Sequence, residues 1–536
     1  MRKNIKKLLL GFSLPLFGLL LISKSTGYDT TLLRSLLAAS PILIVLVAML
    51  FFRLGVQVAG PIGLLTGLLI TWASFGMTTE LFWVSQQKGL LLSLFVIAIF
   101  FPALLLYNTV NQANGIQSIV HALEFLITDR SILLVTTAWA FSGLMEGVAG
   151  FGLPVAIVSP MLVGMGVSPI WAVAAVAVGH AWSVTFGDMG VVFQTLTSVV
   201  KVDSLQLEIN AALLLGIACL LCGFAAAHLL RSLNRWWVVV MLAMIMAFVQ
   251  YVMVAIHIPA LAGMFSGASG VMGAIVINRL VTRKTENNSS TPVLDGSLLS
   301  ALISYGMLVL IMILITGIPQ IKDALSKVVW TVSFAEVSTL DGFVTAAIPV
   351  QTYRPLLQPG VAIMLVTFLS YLYNRFRNLY LDTRFSDILM ITWKTSWPAM
   401  AGIFSMVGLS ALMDHSGMTV QLASALSNLF QAVFPLISPI IGMIGAFATG
   451  SNNNSNILFG PLQEGIAVLL KLSPAVIVAA QTTGGALGSM IAPAKIIVGC
   501  STVGLQGQDG EVLRKTIPYG IIIGLLIGCV TFLVNR

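Results

Sequence analysis

The stretch Phe141-Ser142-Gly143-Leu144-Met145-Glu146-Gly147-Val148-Ala149-Gly150-Phe151-Gly152-Leu153-Pro154 sets one carboxylate among four glycines in an apolar setting. A second stretch, Ala448-Thr449-Gly450-Ser451-Asn452-Asn453-Asn454-Ser455-Asn456, strings polar side chains together between apolar flanks. Neither reads as a plain helix or as a surface loop. The rest of the chain decides which setting they share. Of 536 residues, 58% are apolar and 9% charged, against about 25% charged in soluble domains. Mean hydropathy is +0.99. A chain so poor in ions is a polytopic membrane protein, all-α. That excludes a soluble enzyme, a nucleic-acid-binding domain, a disordered scaffold and a disulfide-stapled secreted fold. The net charge of +8 sits in short loops between apolar runs, as positive-inside topology requires. Irregular backbone survives at membrane depth only where it is buried in protein or lines a wet cavity, so both stretches are expected at a functional site.

A span takes about 20 apolar residues, and clear runs lie near 33–53, 57–75, 89–111, 209–230, 236–256, 258–278, 299–317, 360–374, 397–413 and 517–534. Between 131–200 and 432–504 the runs are broken by Gly, Pro, Ser and Asn, which predicts re-entrant or discontinuous helices. In all, about 12–16 membrane segments are expected. Residues 1–25 form a basic, apolar extension, read as an uncleaved anchor because Ser23-Lys24-Ser25 is a poor cleavage site. Residues 26–88 form N-terminal helices, 89–204 a first transport repeat, 205–396 intervening helices, 397–510 a second repeat and 511–536 a last helix. The basic residues put Arg53, 112–130, Arg231/Arg235, Arg279/Arg283/Lys284 and Arg375/Arg377/Arg384/Lys394 inside, and 26–34 and 80–88 outside. The most polar loop is Arg279 to Ser297. Cys219 and Cys222, in an apolar run, read as packing residues, and no metal or cofactor is expected.

The two broken regions resemble each other. Ser168–Ala181 aligns with Ser473–Ala486, 305 residues on, with seven of fourteen positions identical, and Asn114-Gly115 parallels Ser416-Gly417 at 302. The first unit enters from the basic, inner side and the second from the outer side. The repeats are therefore expected to be inverted, the architecture of secondary transporters with a midplane site.

An ionised carboxylate at that depth costs roughly 2.5–3.5 kcal/mol on insertion scales, so Glu146 is a candidate to take up and release a proton. His180 and Asp188, eight residues apart, bring two further titratable groups to the same depth and join Glu146 as coupling candidates. Amide, hydroxyl and free backbone N–H groups at helix starts suit a carboxylate. That makes Ser451, Asn452, Asn454, Ser455, Asn456, Thr482, Thr483, Gly484 and Gly485, with Gly150 and Gly152 opposite, the substrate-binding candidates. Lys495 is the cation nearby. By the alignment it lies at the depth of Asp188, so the two either face each other across a cavity or Lys495 snorkels to the interface.

At these residues the sequence resembles the lactate permease family of bacterial monocarboxylate transporters. The family's Glu-Gly-x-Ala-Gly-Phe-Gly-x-Pro-Val-Ala pattern falls on Glu146–Ala156 and its Phe-Gly-x-Met-Gly on Phe186–Gly190. Thr-Gly-Ser-x-x-x-Ser-Asn falls on Thr449–Asn456, and Thr-Thr-Gly-Gly-x-x-Gly-x-Met-Ile-x-Pro on Thr482–Pro493. The chain departs from the pattern at His180, Asp188, Asn452 and Ser489, where the family has Asn, a small uncharged residue, Asp and Lys, and it adds Lys495. The resemblance implies a permease of the bacterial inner membrane that imports a small 2-hydroxymonocarboxylate, lactate or glycolate, with H⁺. A Na⁺-coupled carrier of another organic anion is the alternative, since Asn and Ser oxygens also suit Na⁺. A membrane enzyme would group a nucleophile, base or metal ligands at one face, and the sequence contains no such cluster. Nucleic acid is not an expected partner.

Overall fold

Apolar helices in a bilayer satisfy their own backbone hydrogen bonds, and their packing against one another then rests on small residues. The computed structural model describes residues 30–52, 54–148, 150, 152–282, 296–380, 383–505 and 508–535. The 1–25 extension and the basic residues Arg53, Arg283 and Lys284 lie outside the described residues. Among them, eleven helices are long and apolar enough to cross a membrane, and a twelfth crossing joins Pro169–Gly179 and Ala181–Val199, bent by 46°. The protein is a polytopic helical membrane protein.

Three helices come first among the described residues: α1 (Thr30–Leu50), α2 (Val56–Ser74) and α3 (Thr79–Asn111). A surface helix α4 (Gly115–Leu126) leads into α5 (Arg130–Val148), which carries a π-helical turn at Thr136–Phe141. After Gly152 the chain reverses into α6 (Leu153–Gly164). Arg130 donates to the Met165 carbonyl at 3.2 Å, so α5 and α6 begin and end on one face. They form a re-entrant hairpin. A broken helix follows, α7 (Pro169–Gly179) and α8 (Val191–Val199), and then α9 (Ser204–Leu229).

The same order returns later. Between the two sets lie α10 (Trp236–Ala255), α11 (Ala262–Val281), α12 (Gly296–Gly317), a short α13 (Pro319–Ser326) and α14 (Pro359–Phe376). The long α15 (Phe385–His415) then leads to the amphipathic α16 (Met418–Phe430). A hairpin of α17 (Phe434–Thr449) and α18 (Asn452–Leu469) follows, then a broken helix of α19 (Pro474–Gly488) and α20 (Pro493–Thr502), and finally α21 (Asp509–Val534). Both hairpin tips turn on a left-handed glycine, Gly152 (φ 86°) and Gly450 (φ 74°), a conformation that costs residues with a Cβ. Both broken helices also press a glycine on a hairpin carbonyl. A Cβ on Gly179 would strike the oxygen of Ala138, and one on Gly484 that of Pro439.

Polar contacts sort the ends into two faces. Asp129 caps α5 and receives the Arg235 guanidinium at 2.6 Å, which joins two clusters expected inside. On the other face Lys201 reaches Asp414 at 3.7 Å and gives its N–H to Glu464 at 2.9 Å. Arg34 pairs with Asp341 there, and Gln421 donates to Ser35 at 3.0 Å.

Two sequence expectations need correcting. Residues 80–88, expected in a loop, belong to α3, because Thr78 caps the helix by accepting from Leu81 N–H. Likewise α15 starts at Phe385 rather than near 397. The sequence reading passed over the segment 318–358. It holds four short strands: β1 (Trp330–Phe334) pairs antiparallel with β4 (Ile348–Tyr353), and β2 (Val337–Ser338) with β3 (Val344–Thr345). The alternating Trp330-Thr331-Val332-Ser333-Phe334 is strand chemistry, hidden in the overall apolarity.

The carbonyls facing Gly179 and Gly484 are backbone and cannot swing aside, so overpacking there exceeds the usual 1–3 kcal/mol, by about as much again. Gly179→Leu and Gly484→Leu should each abolish the monodisperse peak of detergent-extracted protein in size-exclusion chromatography. Gly164→Leu, with no atom within 4 Å of its Cβ position, should leave that peak intact.

Candidate functional site

The α5–α6 tip meets the α7–α8 break. Asp188, Met189 and Gly190 have successive positive φ angles of 50°, 53° and 82°, strain that persists only where surroundings fix it. Gly150 donates its N–H to the Asp188 carboxylate. A Cβ on Gly150 would stand 2.7 Å from Glu146 Oε1 and 2.8 Å from both Asp188 oxygens, so two carboxylates flank this position closely.

From the opposite unit, α20 brings Lys495 against the same tip. Its Nζ donates to Glu146 Oε1 at 3.3 Å, with the two residues 7% and 1% exposed. Lys495 is therefore buried and does not snorkel. It pairs with Glu146, while Asp188 takes the Gly150 N–H. Asp188 and Lys495 nevertheless line one cavity, as the alignment depth predicted.

His180 ends α7 with Nδ1 2.8 Å from the Val176 carbonyl. A carbonyl can only accept, so Nδ1 carries the hydrogen and Nε2 of the neutral ring is bare. That Nε2 lies 4.0 Å from Glu146 Oε2, and neither atom has a hydrogen-bond partner among the described residues.

The cavity holds about 150 Å³, roughly the room of five water molecules. Glu146, Asp188, Ser451, Asn452, Asn453 and Lys495 give its polar lining, and Val184, Val192 and Val498 an apolar wall. The start of α18 faces it. The N–H of Ser455 bonds back to Ser451 at 3.1 Å, and the N–H groups ahead of it lack intrahelical partners.

The remaining candidates form a supporting layer behind the cavity, to which the amide nitrogen of Asn452 also bonds. Asn452 Nδ2 donates to Thr185 Oγ1 and to the Thr482 carbonyl, both at 3.1 Å, and Asn456 Nδ2 to Thr482 Oγ1 at 2.9 Å. Ser455 donates to the Gly442 carbonyl at 2.8 Å and accepts from Gln481 at 3.0 Å. Thr483 bonds back to Ala479 at 2.8 Å, Gly484 packs on Pro439, and Gly485 makes room for Asn452. Asn454 is buried but does not line the cavity, and Gly152 packs on Lys495. Sequence reasoning passed over Asn453, although it lies within the polar run, and Thr185, one of two hydroxyls in the first break. Thr185 is a further link between the two units.

Outward along α8 lies a second cavity of about 520 Å³, into which Lys88, Gln194, Thr197, Lys201 and Asp414 project. Tyr353 of β4 stacks on Phe95 of α3 beside it, ring centroids 4.2 Å apart.

A multi-pass membrane protein whose hairpin tips and broken helices gather buried charges around a small cavity is built as carriers are. The family described as L-lactate permease matches residues 34–536, and the chain belongs to it. The L-lactate permease of Bacillus subtilis (strain 168) is 26% identical over 94% of this chain and 96% of its own length. Glycolate permease GlcA of Escherichia coli (strain K12) is 26% identical over 94% and 95%. The solved structure of Neisseria gonorrhoeae MtrF, from work on antimetabolite efflux pumps, aligns at 13% identity and TM-score 0.45 over 81% of this chain and 80% of its own. That likeness carries no argument.

Removing one partner of a buried pair strands the other at a cost of about 3–5 kcal/mol. Lys495→Met should therefore lower the unfolding temperature of the purified protein markedly. Lys495→Met combined with Glu146→Gln should recover most of the loss. An unchanged transition in the single variant would mean that the contact contributes nothing.

Proposed function

We propose that this protein is a secondary active transporter of the bacterial cytoplasmic membrane that takes up a small 2-hydroxymonocarboxylate, lactate or glycolate, together with H⁺. The observation that carries the reading is the charge count in the cavity: one cation, Lys495, against two carboxylates, Glu146 and Asp188. A substrate anion entering that site unaccompanied adds a third negative charge in a low dielectric, at a cost of several kcal/mol. A proton on Glu146 removes the conflict. Its Oε2–H then points at the bare Nε2 of His180, and Lys495 is released to the substrate carboxylate. The free N–H groups at the start of α18 supply further donors. Asn452 and Asn453 side chains suit the 2-hydroxyl, and Val184, Val192 and Val498 suit the short carbon chain. The names of the relatives support the choice of substrate.

The recurring order of surface helix, hairpin and broken helix supports an inverted pair, 89–204 and 397–510, working by alternating access. A Na⁺-coupled reading rests on one observation, the unpartnered amide oxygens of Asn452, Asn453 and Asn456, which are hard ligands.

Purified protein in proteoliposomes separates the readings when pH and Na⁺ gradients are imposed singly on labelled lactate uptake. Under proton coupling, a pH gradient alone drives accumulation. Glu146→Gln keeps the shape but cannot release a proton, so it should abolish accumulation while leaving substrate exchange in part. Accumulation driven only by Na⁺, or full pH-driven uptake by Glu146→Gln, overturns the reading. Asn452→Ala and Asn453→Ala should each raise KM about 2- to 13-fold, the loss of a hydrogen bond between neutral groups.

A further inference from the structure

On the face that the basic clusters assign to the cytoplasm, a cavity of about 810 Å³ opens where the inner ends of α7, α9 and α21 meet. Arg231, Arg514 and Lys515 line it, together with Trp171 and Tyr519, and no carboxylate does. Among the described residues none of the three cations has a carboxylate within 4.0 Å. Arg235 on the same face, by contrast, is held by Asp129. The Lys515 ammonium instead rests 4.7 Å from the Trp171 ring centroid. His228 Nδ1 and the Tyr519 hydroxyl, 2.6 Å apart, tie α9 to α21 behind it.

Three uncompensated cations in a concave site call for an anion with several acceptor oxygens. The walls indicate where that anion comes from. Leu233 and Ile522 line the cavity and are 40% and 56% exposed, and Trp236 beside them is 58% exposed. Cations set directly over an exposed apolar surface at a helix end match a molecule with a phosphate head and hydrocarbon tails. A free phosphate would have no use for that surface.

We propose that this cavity binds the headgroup of an anionic phospholipid, with its phosphate held by Arg231, Arg514 and Lys515. Bound there, the lipid joins the inner end of α7 to α9 and α21, and α7 is the half-helix that ends at His180. The site thus acts on the broken helix from the membrane surface, about three turns beyond the proton-handling residues.

The test uses the purified full-length protein in detergent, titrated with phosphatidylglycerol, cardiolipin, phosphatidylcholine or inorganic phosphate while thermal unfolding and native mass spectrometry are followed. Phosphatidylglycerol and cardiolipin should raise the unfolding temperature and stay bound, and phosphatidylcholine should do neither. The triple variant R231Q/R514Q/K515Q should bind the anionic lipids about a hundredfold more weakly, roughly fivefold for each cation removed. Arg514→Gln alone gives the fivefold step should the triple variant not fold. Arg279→Gln, a neutralised cation expected on the same face, should bind as the wild type does. Equal binding by the wild type and the Arg514 variant overturns the proposal. So does an equal response to phosphatidylcholine, or stabilisation by inorganic phosphate at the concentrations that suffice for lipid.

Discussion

The contact between Glu146 and Lys495 joins the two halves of this protein where neither charge could stand alone. Glu146 sits beside the tip of one hairpin and Lys495 on the far side of the opposite break, 349 residues along the chain. Each is buried, and each would be costly without the other. Their meeting fixes how close α20 comes to the first tip, and the cavity is the space left around that approach. The polar network through Thr185, Asn452 and Thr482 runs parallel to it and crosses the same boundary with uncharged groups.

The glycines and the charges are parts of one constraint. Two carboxylates and an ammonium can gather only where backbones come close enough to supply N–H donors, and such approach leaves little room for a Cβ. Gly150 shows this directly, with its N–H on Asp188 and its Cα between two carboxylates. Gly179 and Gly484 do the same at the hairpin stems, where close contact with a carbonyl sets the depth at which each tip stops. A glycine-rich sequence in a membrane is thus a statement about proximity as well as about turns.

Much of this was legible in the sequence because each signal had one physical reading. Apolar runs give spans, and Gly, Pro and Asn inside them give breaks. A carboxylate in an apolar run must find company, and Glu146 does so with Lys495 and His180. The partner of Lys495 was not legible, because repeat alignment sets depth but not rotation about a helix. Nor could the polar run from Ser451 to Asn456 be divided by eye. Only the helical turn of α18 separates Asn452 and Asn453 at the cavity from Ser455 and Asn456, which hold α19. The strands between 330 and 353 were masked by a chain so apolar throughout that alternation barely registers.

The left-handed run at Asp188–Gly190 has a mechanical consequence. A continuous helix transmits torque through its ladder of hydrogen bonds, so twisting one end turns the other. Here the ladder stops, and α7 and α8 are separate rods sharing a short swivel. The inner rod is wedged among α9 and α21, whereas the outer rod borders the larger cavity under β4. Rotation of the outer rod alone would move Val192 in the small cavity and Gln194 in the larger one together, with Asp188 as its pivot. The smallest moving part of such a machine is then half a helix.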